Sequence, residues 1–256
     1  DSTAGVARFL AACQVNGIEG MTGVEISADV SRGTLHMLGY GVDTNHARLQ
    51  SVLHEIRDGR EERNHKILAK LNALGYVLTW DEVAAYAGED VIGRPHFAQA
   101  LLAKGFVASK EEAFDRLLAK NKPAYVDRFR LSPAESVGLI REAGGVAVLA
   151  HPFTLDLGKK ALRAYVEELK GLGLDGIETY YSEHTPVQVR EYESLARDLD
   201  LIRTGGSDFH GDINPNIRLG VGFGTLHVPD ELFEELKARQ TTIRASLLKG
   251  SACRGG

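Results

Sequence analysis

Five ionisable side chains stand where strands should end: Glu25 in "GVEIS", His151 in "VAVLAHP", Glu178 in "LDGIETYY", and Asp208 with His210 in "TGGSDFHG". A carboxylate inside an apolar strand is costly without a cation beside it, so Glu25 asks for one. Imidazole and carboxylate together make a donor set for divalent metals, and Gly205-Gly206 would allow close backbone approach there. Each residue also has an ordinary reading. His151 could pack beneath the turn at Pro152, Asp208 could cap a helix, His210 could sit on the surface, and Glu178 could face solvent. Their common position at strand ends favours a metal site. His36, flanked by Leu35 and Met37, reads by itself as a core histidine.

A second group lies in "GRPHFAQAL", residues 93–101. Arg94, His96 and the N–H groups of a starting helix could hold an anion, and an ordinary first helical turn explains them equally well. Lys122 in "KPAYV" is a further cation or a solvated loop residue. His184 in "YYSEH" could reach the metal site from the loop after its strand. His46, His54, His65 and His227 read as solvated.

The elements that must position these residues follow from periodicity. Residues 3–13 have helical spacing. "MTGVEISADV" and "GTLHMLGYGVD" read as short strands carrying Glu25 and His36. A long helix follows over about residues 45–74, with Leu49, Val52, Leu53, Ile56, Ile67, Leu68, Leu71 and Leu74 on one face. Residues 76–125 read as short helical pieces, including a capping box formed by Ser109 and Glu112. Ser132, Pro133 and Glu135 then start a helix that Gly144-Gly145 stops. Beyond it strands and helices alternate, which predicts a parallel sheet or barrel with functional residues at carboxyl ends of strands. The apolar "VAVLA" fits a strand buried on both faces.

Composition bounds the partners. The 256 residues are 43% hydrophobic and carry a formal net charge of −5, which speaks against a broad basic face for duplex DNA. Small phosphorylated ligands or short single strands remain compatible with local Arg and Lys. Cys13 and Cys253 lie near opposite ends and form no motif, which favours a reduced, cytoplasmic protein. No apolar run reaches membrane-spanning length. The opening "DSTAGVARFLAACQ" has no signal-peptide character and reads as the middle of a longer sequence. Oligomeric state is not legible.

Taken in order, "GVEIS", "LHMLGYGVD", "GRPHFAQAL", "KPAYV", "GGVAVLAHP", "LDGIETYY" and "TGGSDFHG" resemble the polymerase and histidinol phosphatase (PHP) family of hydrolases. The match spans nearly the whole chain. The subgroup with a helical insertion and a "GRPH"-like motif is the nearer one; it includes enzymes acting on 3′,5′-nucleotide bisphosphates and enzymes removing nucleotides from the 5′ end of short RNA. The resemblance implies an α/β fold, a distorted (β/α)7 barrel of PHP type, formed by residues 1–43 and 131–256, with residues 44–130 as the helical insertion domain. It implies two or three divalent metal ions with Glu25, His36, His151, Asp208 and His210 as ligands, His151, Asp208 and His210 being catalytic. Arg94, His96 and Lys122 would bind the substrate phosphate. The family also carries an Asp-x-His-x-His motif and a Thr-Asp-His-Asp motif on its first two strands. Only Asp1 of the second has a counterpart here, so two strands and at least three histidine ligands of the family pattern are absent from this sequence, through trimming or because it is a fragment. By itself it is expected neither to close the barrel nor to hold the full metal cluster.

The expected chemistry is hydrolysis of a nucleotide phosphate ester by a hydroxide held on the metals. The ligand types suit Mn, Fe or Zn better than Mg, and paired metals screen the charge of in-line phosphoryl transfer. A histidinol-phosphatase-like enzyme and a non-catalytic binding module with the same fold are the alternatives.

Overall fold

The computed structural model describes residues 1–87, 92–211 and 214–252. They fall into two compact units, Asp1–Ser51 with Arg130–Gly256, and Val52–Phe129. Cys253 lies outside the described residues; Cys13 is buried as a free thiol.

The first unit is built on a five-stranded sheet in the order β1 (Gly23–Ala28), β2 (Leu35–Tyr40), β3 (Val146–Leu149), β4 (Gly176–Tyr181), β5 (Ile202–Gly206). β3, β4 and β5 are parallel, as the alternating helices require; β1–β2 and β2–β3 are antiparallel. The short link between β1 and β2 leaves room only for a hairpin, so the sheet is mixed where alternation alone predicted a parallel one. Among the described residues it is an open sheet of five strands.

Register sorts the faces. Glu25 stands opposite Leu38, and Leu38 opposite Val148, so these side chains share one face. His36 and Tyr40 flank Leu38 at two-residue spacing and join it. Gly176 stands opposite Val148, and Glu178 opposite Thr204, which places Glu178, Thr204 and Ile202 on that face too. The apolar end of the face, Val146, Val148 and Ile202 with Leu38 and Tyr40 beside them, packs against Leu236 and Ile243 of α9 (Glu231–Ala252). The polar end is left to Glu25, His36 and Glu178. The opposite face is covered by α6 (Pro133–Glu142) and α8 (Pro186–Asp198), both started by complete capping boxes, Ser132 with Glu135 and Thr185 with Gln188. Helices α1 (Val6–Val15) and α7 (Lys159–Gly171) complete this unit.

The second unit is helical. It takes most of α2 (Ala47–Ala73) and contains α3 (Trp80–Ala84), α4 (Arg94–Ala103) and α5 (Lys110–Ala113), which continues into a π-helical turn, Phe114–Leu118. Ile67 and Leu71 of α2 pack with Phe97, Leu101 and Leu118 in its core. Leu74, expected on the buried stripe, is 47% exposed, because Gly75 turns the chain just beyond the helix. Buried Arg63 and Asn64 interrupt the same stripe; Asn64 donates to the carbonyl of Ile92 at 2.8 Å. At α5 the expected capping box is half formed: Ser109 accepts from Glu112 N, while the Glu112 carboxylate reaches Ala108 N instead of Ser109 N. No helix of the described residues is long and apolar enough to cross a membrane.

Candidate metal centre

Glu25, His36 and His151 bring one ligand atom each within 4.8 Å of one another. Glu25 Oε1 is 2.5 Å from His36 Nδ1 and 3.2 Å from His151 Nε2, and the two ring nitrogens are 3.2 Å apart. Glu25 comes from the middle of β1 and His151 from the turn after β3. His36 sits at the start of β2, and because β2 runs antiparallel its first residues reach the edge where β3 ends.

His151 is held from three sides. Its backbone has φ +22°, a region costing about 1–3 kcal/mol for a non-glycine residue. That turn aims its N–H at Glu178 Oε2, 2.8 Å away. On the ring, Nδ1 lies 3.1 Å from Thr154 Oγ1. The Thr154 hydroxyl has one proton to give, and carbonyl oxygens of Thr34 and His151 at 2.9 and 3.0 Å accept it. Its lone pair therefore accepts from Nδ1–H, which assigns the lone pair of a neutral His151 to Nε2, facing Glu25.

The electrostatics are those of gathered carboxylates. Burial opposes charge on Glu25, but hydrogen bonds from His151, given only when its ring is protonated and Nε2 carries a proton, and from His36 outweigh it and hold its carboxyl well below the usual range. Glu178, 5% exposed, is pushed up to about 7 by burial, with the charges of Glu25 and Asp208 adding to the effect and the His151 N–H opposing it. The His151 imidazole is raised, the pull of Glu25 overcoming its own burial. Negative groups this close together are relieved by a cation.

Asp208 and His210 lie on the loop after β5, outside the group of three. Asp208 has φ +53° and accepts from the Tyr181 hydroxyl at 2.9 Å. The Tyr181 ring in turn lies 5.4 Å from that of His151. Burial, then the Asp208 charge, keep the Tyr181 hydroxyl protonated. His210 is 55% exposed along its side chain and turns its Nδ1 back to the Asp208 carbonyl, 3.0 Å away. The Asp1 carboxylate accepts from Ser27 N at 2.9 Å, two residues beyond Glu25. His184 does not join the group: it donates from Nδ1 to the Thr179 carbonyl and packs among Phe153, Tyr181 and Tyr192.

Glu178, Thr154 and Tyr181 are the contributors sequence reasoning left uncommitted. A carboxylate inside the apolar run "LDGIETYY" was the available signal for Glu178, the same signal that marked Glu25. Nothing local marks Thr154 or Tyr181. The glycines also differ from expectation. A Cβ on Gly205 would come within 2.5 Å of the Tyr180 carbonyl oxygen, so this glycine serves the β4–β5 ladder at its bulge. Gly206 has ordinary room, 3.6 Å from Glu178 Oε1.

Arg94, His96 and Lys122 belong to the second unit. The Arg94 guanidinium lies over the rings of Tyr125 and Phe114, 5.5 and 6.0 Å from their centroids, and donates to the Leu118 carbonyl. His96 Nδ1 accepts from Gly93 N at 3.0 Å, closing the start of α4. Lys122 is exposed in a turn.

No family model matches the chain. A 3′,5′-nucleoside bisphosphate phosphatase of Chromobacterium violaceum is 34% identical over 211 residues, covering 82% of this chain and 74% of that protein. A 5′-3′ exoribonuclease of Haemophilus influenzae is 32% identical over 210 residues, covering 82% and 76%. A crystal structure from Bifidobacterium adolescentis, provisionally assigned as a metal-dependent phosphoesterase, superposes with a TM-score of 0.75 at 30% identity, covering 93% of this chain and 82% of that one. Likeness over this length, together with imidazole and carboxylate groups able to hold a metal converging at one edge of the sheet, establishes that the chain belongs to the PHP family of metal-dependent phosphoesterases.

Proposed function

We propose that the protein hydrolyses phosphate esters of nucleotides carrying phosphates on both the 3′ and 5′ sides, or of short 5′-phosphorylated RNA. The observation that carries this reading is the convergence of Glu25, His36 and His151 within 4.8 Å. Two imidazoles and a carboxylate fit Mn, Fe or Zn, and the raised proton affinity of buried Glu178 fits a site that gathers positive charge. Asp208 and His210 complete the proposed ligand set for two or three ions, within a barrel of PHP type. When bound, the ions supply Lewis acidity and an activated water.

The chain's own residues do the rest. Thr154 holds the His151 ring so that Nε2 keeps its lone pair toward the site. Glu178 holds the His151 backbone, and Tyr181 orients Asp208. In the insertion, residues 44–130, Arg94, His96 and Lys122 are proposed to bind a substrate phosphate, the contacts of Arg94 with Phe114, Tyr125 and Leu118 fixing its orientation. A net charge of −5 suits a mononucleotide or a few bases better than duplex DNA. Two distant cysteines and no membrane-crossing helix among the described residues are consistent with the proposed cytoplasmic setting.

The test is phosphate release from 3′-phosphoadenosine 5′-phosphate and from histidinol phosphate, and mononucleotide release from 5′-phosphorylated oligoribonucleotides, measured side by side with added Mn. Faster turnover of a nucleotide substrate is expected; faster turnover of histidinol phosphate overturns the assignment.

A further inference from the structure

The stretch "RLGVGFGT", residues 218–225, alternates glycine with apolar side chains, and each side chain it presents is on the surface: Leu219 is 75% exposed, Val221 39% and Phe223 52%. Gly220, Gly222 and Gly224 all have positive φ, at +76°, +55° and +110°. A chain with this backbone is a built turn, closed by reciprocal hydrogen bonds of 2.9 Å between Arg218 and Gly222.

The turn is also anchored. Gly220 N donates to Ser207 Oγ at 3.2 Å, and the Ser207 carbonyl accepts from Ser182 Oγ at 2.7 Å. Ser207 precedes Asp208, and Phe209, itself 45% exposed, follows it. Four large apolar side chains are thus displayed at the edge of the sheet that holds the candidate ligands. Nothing in the ligation of metals or phosphate calls for them. Scattered single apolar residues are ordinary on a surface, but four of them on one pinned turn and the adjoining loop, next to the strand ends that carry the candidate ligands, offer a contact.

We propose that this turn and Phe209 form the platform that receives the base of the nucleotide substrate, with Phe223 and Phe209 as the stacking side chains. The inference rests on the nucleotide reading above and names its specificity element. A phosphorylated nucleotide presents two chemistries, charge at the phosphates and a flat apolar face at the base. The centre at Glu25, His36 and His151 answers the first. Aromatic and aliphatic side chains answer the second, and such stacking tolerates any base because every base has a π-face.

The experiment compares kcat/KM on adenosine 3′,5′-bisphosphate with that on the abasic analogue bearing hydrogen in place of adenine. Wild-type protein is expected to prefer the nucleotide by about tenfold or more. Phe223→Ala and Leu219→Ala should each erode that preference mainly through KM, and Phe223→Trp should keep it. Circular dichroism and melting confirm that each variant is folded; all the altered side chains are exposed. Equal turnover of the two substrates by wild type, or a preference unchanged in both alanine variants, overturns the platform while leaving the phosphoesterase reading standing. Turnover of neither substrate, nor of a 5′-phosphorylated oligoribonucleotide, overturns both. If sedimentation shows that Phe223→Ala dissociates an oligomer while the preference stays, the turn is a self-association surface and the proposal falls.

Discussion

At the scale of single residues, the candidate centre is defined by what holds His151. Its ring reaches Glu25 only because a left-handed backbone turn, the Glu178 carboxylate and the Thr154 hydroxyl agree on one orientation. Removing a partner that fixes a ligating imidazole lowers metal affinity by about 10–100-fold. Thr154→Val keeps the shape and removes the hydroxyl, so Mn titration should show a loss of that size; unchanged affinity removes Thr154 from the site. His151→Ala takes away the ligand itself, and metal content and phosphoesterase activity should fall together. Retention of full metal content would exclude His151 as a ligand.

At the scale of elements, adjacent glycines at the end of β5 make opposite predictions. A Cβ at position 205 meets the backbone of Tyr180, which cannot retreat without opening the β4–β5 ladder, whereas one at position 206 finds ordinary contact distance. Gly205→Ala should cost about 1–3 kcal/mol in urea denaturation and Gly206→Ala much less. Equal costs would mean that the bulge adapts. In the helical unit, Arg94→Ala should raise KM for a phosphorylated substrate by an amount equivalent to about 1.5–3 kcal/mol, the loss of a charge-assisted contact. Unchanged KM on every phosphorylated substrate would leave Arg94 with its packing role against Tyr125 and Phe114 alone.

At the scale of the whole molecule, the pH dependence of stability should carry the mark of His184. Burial lowers its imidazole to about 4, and among the described residues its Nε2 has no hydrogen-bond partner. The folded state therefore binds the proton less readily than the unfolded chain does. Between about pH 6.5 and 4 the unfolded chain takes up the His184 proton first, so the His184 contribution is full above this window and is lost as pH falls through it, while Glu178, raised to about 7, works in the opposite sense over an overlapping range. His184→Asn should flatten that part of the curve in melts across pH; an unchanged slope would assign the acid sensitivity to other groups. The purified full-length protein should also carry two or three equivalents of transition metal. Elemental analysis showing none after purification without chelator, with no Mn-dependent activity, would overturn the metal centre.

Local signals carried much of the architecture. Ser132-Pro133 with Glu135 started α6 where expected, the apolar "VAVLA" became β3, and Glu25, a carboxylate in an apolar strand, is the residue that the two imidazoles approach. These are properties of neighbours in sequence, where period, caps and burial cost can be read directly. What only the tertiary structure decided depends on pairing between distant segments. His36 read by its flanks alone as a core histidine and only through the family resemblance as a ligand, and it is the antiparallel course of β2 that brings its first residues to the end of β3. Glu178 was one of two readings until the register of β4 set it on the face of Glu25 and under the His151 N–H. Gly205 looked like a site glycine and proved to be a ladder glycine, because the bulge that crowds it arises from the partner strand. Strand direction and register are set by contacts far apart in the chain, and no window of residues contains them.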